Sequence, residues 1–262
     1  MGAEPFTLYA IHLGSRSSHS SFASYLDFEQ TPTELAYFCW LARNDRHTVL
    51  IDTGPGPDEA RRRGVEPVVS LAERLAGIEV SPGDVDHVVL THLHWDHAGN
   101  LDLFPSASVW VQDDELSFWS SPVAAAPVFQ LGVEADHLTA IHRARGEGRV
   151  HLVTADVEVV PGMTAHGVGG HTPGSQIVTV DTTHGRAVLA SDIAFYSHNV
   201  TRQWPTAIFT DLPAVVRALD RVRRLASHPD LIVPGHDPIV AERYQPVGTG
   251  VTLIAPLAPA GR

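Results

Sequence analysis

Apolar and polar positions follow two rhythms along this chain. Short β-branched and apolar runs predict strands. Residues 37–42 and 48–51 read as a pair joined at Arg43-Asn44-Asp45-Arg46, and 86–90 reads as a buried strand. Further strands are predicted at 108–112, 157–160, 176–180 and 186–190. A helical rhythm appears over 67–76, where Val68, Leu71, Ala72 and Leu75 share a face, and again over 113–119 and 133–145. A last helix follows Asp211, the expected N-cap, with Pro213 in its first turn. Val215, Ala218, Leu219, Val222 and Leu225 form its predicted buried stripe. Arg221, Arg223 and Arg224 lie in its final turns, where the helix dipole favours cations. Strands and helices thus alternate in two halves without an internal repeat, which places the chain in the α/β (α+β) class.

Composition narrows the picture. A chain of 262 residues with 44% hydrophobic content can bury a full core, and one domain over 1–262 is expected. Thirty acidic residues against 18 basic ones give a formal net charge of -12, which argues against nucleic acid or an anionic membrane as partner. Every basic residue is arginine, read as codon bias rather than function. Cys39 stands alone in an apolar run, so no intrachain disulfide forms and it is expected to be buried. Neither a signal peptide nor a membrane span is evident, and a cytoplasmic location is expected. Two segments are less constrained. Residues 120–148 are expected to form a lid, one wall of a cleft, or a plain connection. The Pro-, Gly- and Ala-rich tail over 245–262 is expected to be a last strand, a homodimer contact or a frayed end.

The chemistry concentrates in Thr91-His92-Leu93-His94-Trp95-Asp96-His97, just after the strand at 86–90. Alternate positions on extended chain send His92 and His94 to one side, and the turn that follows lets Asp96 and His97 face a neighbouring point. Two metal ions suit this arrangement better than one. Imidazole and carboxylate without thiolate are compatible with zinc, manganese, cobalt or iron. More candidates follow downstream: His171 in a turn fixed by Gly169, Gly170, Pro173 and Gly174, Asp192 after an apolar strand, and His236 after Pro234-Gly235. Each comes just after a predicted strand, so one sheet edge is expected to gather them.

Taken in order, Leu50-Ile51-Asp52-Thr53-Gly54, His92-x-His94-x-Asp96-His97, Gly170-His171-Thr172-Pro173-Gly174, Ser191-Asp192 and Pro234-Gly235-His236 resemble the metallo-β-lactamase superfamily. Segments 88–104, 169–176, 188–199 and 232–244 are most similar to its N-acyl homoserine lactonase family. The resemblance implies a four-layer αβ/βα sandwich and two divalent ions, zinc foremost. His92, His94 and His171 would hold one ion. Asp96, His97 and His236 would hold the other, with Asp192 shared and Asp52 supporting the ligands from behind. It implies opening of a small-molecule lactone, an N-acyl homoserine lactone or a related secondary metabolite, by attack of a metal-bridging hydroxide, with Asp96 passing a proton to the leaving oxygen. The chain departs from the family at one point: the tyrosine expected three residues after the shared aspartate is Phe195 here, and Tyr196 follows it. Tyr196 is expected to donate to the oxyanion only if the segment has left strand geometry; otherwise Phe195 faces the site. A glyoxalase II-like thioesterase, a β-lactam hydrolase and a metal-binding module without catalysis are the other readings.

Overall fold

Residues 4–255 are described by the computed structural model. Residues 1–3 and the last part of the tail, 256–262, lie outside them. Eight strands form one sheet: β1 (Thr7–His19), β2 (Pro32–Arg43), β3 (Thr48–Ile51), β4 (His87–Val89), β5 (Ser108–Gln112) and β6 (Val150–Val153), joined later by β12 (Gln245–Gly248) and β13 (Val251–Leu253). Five form the other: β7 (Asp156–Val160), β8 (Met163–Gly167), β9 (Gln176–Thr182), β10 (Gly185–Ser191) and β11 (Ile232–Pro234). The first runs β12-β13-β1-β2-β3-β4-β5-β6 and the second β11-β10-β9-β8-β7.

The central strands of both sheets are covered on both faces, as their apolar runs require. In β2, Phe38, Trp40 and Ala42 point into the space between the sheets, while Cys39 and Leu41 point outward beneath helices. In β10, Ala187 and Leu189 meet the same inner layer, and Val188 and Ala190 face out. The outer layer on the first sheet includes Leu71, Leu75, Leu116, Trp119 and Ile141. On the second sheet it is the helix Leu212–Leu225, through Val215, Ala218, Leu219 and Val222. The result is helix, sheet, sheet, helix, the expected four layers. Asp211 caps that helix by accepting from the backbone N–H of Ala214.

One expected helix begins late. Residues 67–70 lie outside any helix, and the helix spans Leu71–Ala76. The cause is tertiary: Glu66 exchanges two backbone hydrogen bonds with Ser15 of β1, so the chain leaving it is already committed to a bridge. The tail contributes β12 and β13, and β13 pairs antiparallel with β1. Among the described residues no helix is long and apolar enough to cross a membrane.

Candidate metal centre

The candidate ligands come from two sheets, not from one sheet edge. His92, His94, Asp96 and His97 lie on the loop after β4 of the first sheet. His171, Asp192 and His236 lie on loops after β8, β10 and β11 of the second. The two sheets open at the same end of the sandwich, and the loops meet across the gap.

Two groups result. Ligand atoms of His92, His94, His171 and Asp192 lie within 4.8 Å of one another, and so do those of Asp96, His97 and His236. The Asp192 carboxylate stands between them. Its Oδ2 lies 3.2 Å from His171 Nε2 and 3.6 Å from His92 Nε2, and its Oδ1 lies 3.1 Å from both His97 Nε2 and His236 Nε2. Asp96 Oδ2 lies 3.6 Å from His236 Nε2 and 3.7 Å from His97 Nε2.

Outer partners fix which nitrogen of each ring faces inward. His97 Nδ1 meets Asp52 Oδ2 at 2.7 Å, His171 Nδ1 donates to the Ile208 carbonyl, and His236 Nδ1 donates to the Ala36 carbonyl. Asp52 also accepts from the Thr91 backbone N–H at 2.7 Å and the Thr91 hydroxyl at 2.8 Å. Asp52 and Ser191 both sit at positive φ, 58° and 45°, a strain of about 1–3 kcal/mol each that the surrounding contacts must hold. Gly170 is required for space as well as for its positive φ: a Cβ there would lie 2.7 Å from the Val215 backbone nitrogen.

The donor set fits divalent cations. His92 Nε2 and His97 Nε2 are buried without a hydrogen-bond partner, a costly condition unless something accepts their lone pairs or protons. Burial, with neighbouring imidazoles, holds His92 and His94 well below the usual histidine range, which favours the neutral rings that metals bind. His97 and His236 go the other way: burial opposes their charge, but the carboxylates of Asp192 and Asp96, with Asp52 beside His97, raise them. Burial likewise opposes charge on Asp192, yet the surrounding imidazoles hold its carboxyl well below the usual range. Cations bound at such a site would take the place of any protons its ligands carry.

Tyr196 does not belong to this cluster, which corrects the catalytic role expected for it. Its hydroxyl donates to the Glu34 carbonyl and lies 3.0 Å from Thr33 Oγ1. Phe195 faces the site instead, its ring 4.8 Å from that of His236. Tyr196→Phe is therefore expected to leave kcat unchanged while lowering stability by about 1 kcal/mol, measured by steady-state kinetics and urea unfolding.

Glu115 escaped the sequence reading. It is fully buried at the head of the helix Asp113–Trp119 and accepts four hydrogen bonds: from the backbone N–H of Leu93, the Trp119 indole, the Thr172 hydroxyl and the backbone N–H of Gly174. It ties the His92–His94 loop to the His171 loop. A cleft of about 500 Å³ opens over the ligands. Phe22, Leu35, Trp119, Phe129, Ile208 and Phe209 give it apolar walls, with Phe129, Leu131 and Gly132 coming from the segment over 120–148. Trp95 lies beneath, its ring 4.6 Å from the Arg63 guanidinium.

Comparison with known proteins bears on the family and the fold. The family profile of the metallo-beta-lactamase superfamily matches residues 32–236. An N-acyl homoserine lactonase from Bacillus sp is 26% identical over 84% of this chain and 88% of its own length. The human metallo-beta-lactamase domain-containing protein 1 is 33% identical over 78% of this chain, which spans 65% of that protein. Among solved structures, a quorum-quenching N-acyl homoserine lactone lactonase superposes with a TM-score of 0.79 at 21% identity, covering 94% of this chain and 98% of its own. A dizinc quorum-quenching lactonase superposes at 0.72 and 17% identity, covering 99% and 97%.

Proposed function

The chain belongs to the metallo-beta-lactamase superfamily, and from that membership we propose that it is a metal-dependent hydrolase that opens a lactone ring. The observation that carries this reading is the split Asp192 carboxylate, one oxygen toward each histidine group, at the floor of an apolar cleft. His92, His94 and His171 would hold one divalent ion and Asp96, His97 and His236 the other, with Asp192 shared. Zinc suits a set of imidazoles and carboxylates. Two such ions supply Lewis acidity and bring the pKa of water toward neutrality.

The protein's own groups do the rest. The loops that Glu115 ties together hold the ligand rings in place before substrate arrives. Trp119, Phe129, Ile208 and Phe209 exclude bulk water and accept an acyl chain. Hydrolysis adds one water across the ring C–O bond: oxygen joins the acyl carbon, and the leaving alkoxide takes a proton. Asp96, at the cleft surface beside His236, carries that proton. The acid formed then loses a proton at neutral pH. The lactonases among the relatives support a cyclic ester over other substrates, and the lone Cys39 supports a cytoplasmic setting.

Proton release gives the test. Metal-replete protein is expected to acidify a weakly buffered indicator with N-acyl homoserine lactones or other γ-lactones, and to do so faster than with open-chain esters. Faster turnover of glutathione thioesters than of any lactone would move the protein to thioester hydrolysis.

A further inference from the structure

Besides the ligands, the cleft carries polar groups whose bonding is unequal. Arg63 is fully engaged: its guanidinium lies 2.8 Å from Glu59 Oε1 and 2.9 Å from Glu134 Oε1, and it stacks on Trp95. The Arg16 side chain has neither an ion pair nor a hydrogen bond among the described residues, and its Nε is buried without a partner. Its guanidinium carbon lies 5.8 Å from the Phe22 ring and 6.0 Å from the Tyr37 ring, so aromatic faces hold it at the cleft. Tyr37 is 1% exposed and lines the same cleft, yet its hydroxyl has no hydrogen-bond partner among the described residues. Of the chain's five tyrosines it alone lines the cleft.

The β-ladder explains why these two groups meet. Arg16 pairs with Leu35 and Gly14 with Tyr37, so Arg16, Leu35 and Tyr37 occupy alternate positions facing one side. Tyr37 then lies between Arg16 and the ligand cluster, its ring 5.3 Å from that of His236. A phenol is protonated at neutral pH, so Tyr37 offers a donor there. Two donors without hydrogen-bond acceptors among the described residues thus face the cleft on the Phe22 and Leu35 side.

We propose that Arg16 and Tyr37 form an anchor for an anionic group, a carboxylate or phosphoryl group carried by the substrate away from its scissile bond. Guanidinium presents several donors that match either oxyanion, and the phenol adds one more. This rests on the cleft being the substrate site, as proposed above, and narrows the substrate to acidic lactones.

Calorimetric binding to metal-replete protein tests the anchor without turnover. The probes are α,ω-dicarboxylates from succinate to sebacate, their monomethyl esters, and the matching ω-phosphono acids. Each keeps one carboxylate for the ligand cluster and varies the other end. At least one diacid or phosphono acid is expected to bind about tenfold or more tightly than its methyl ester, the effect of one hydrogen bond to a charged group. The better of the two identifies the natural anion. Arg16→Gln should abolish the preference, Arg16→Lys should restore part of it, and Tyr37→Phe should reduce it, all with metal content unchanged. Equal affinity across every pair, no binding of any probe, or a preference that survives Arg16→Gln would overturn the proposal. Lactone turnover without a diacid preference would sink the anchor alone, whereas a diacid preference without lactone turnover would sink the lactonase reading alone.

Discussion

Asp192→Ala is expected to abolish lactone turnover and to strip both ions from the purified protein. Losing an outer partner of a metal ligand typically costs about 10–100-fold in affinity or activity. Asp192 touches both histidine groups directly, one oxygen to each, so its removal should cost more than about 100-fold. Asp192→Asn separates charge from shape. The amide fills the same space but offers one oxygen and no charge, so it should also lose activity and retain less than the full metal complement. Elemental analysis beside the indicator assay reads both effects. Full metal content in Asp192→Ala would show that this carboxylate is not shared.

The largest expected effect on stability lies at Glu115. Glu115→Ala leaves two backbone N–H groups, an indole N–H and a hydroxyl in the interior without their acceptor. Each buried unsatisfied group costs about 1–3 kcal/mol, and partial relaxation leaves a net loss on the order of 3–5 kcal/mol. The urea midpoint should fall accordingly. Activity should fall with it even in the fraction that stays folded, because the His92–His94 and His171 loops lose their tie. Glu115→Gln should lie between, since its amide keeps one acceptor oxygen. A change under about 1 kcal/mol in Glu115→Ala would mean that water replaces the carboxylate and that the loops hold themselves.

These two residues also mark the boundary of what the sequence shows. Alone, Asp192 reads as an ordinary turn or cap residue after an apolar strand; it stood out as a candidate because it stands in order with His92, His94, His171 and His236. Glu115 did not. In Asp113-Asp114-Glu115 it looks like one of three acids favoured by a helix N-terminus, and nothing in the run singles out the one that turns inward. Tyr37 was hidden for a related reason. Its strand is apolar on both faces, so periodicity could not say which face meets the loops at the open end. For Phe195 and Tyr196 the parity argument posed the right alternative, but only packing could choose. Asn199 accepts from the Tyr196 backbone N–H, and the Glu34 carbonyl takes the hydroxyl, which leaves Phe195 toward the histidines. The early start expected for the helix before Ala76 failed because a distant strand, not local propensity, holds Glu66.

Seven side chains from two sheets are proposed to make one centre for two ions. Elemental analysis of protein purified from metal-replete medium tests it most directly. Two divalent ions per chain are expected, both removed by a chelator together with lactone turnover and both restored on adding back zinc. A content that stays at one ion per chain, or near zero, with turnover intact would contradict it.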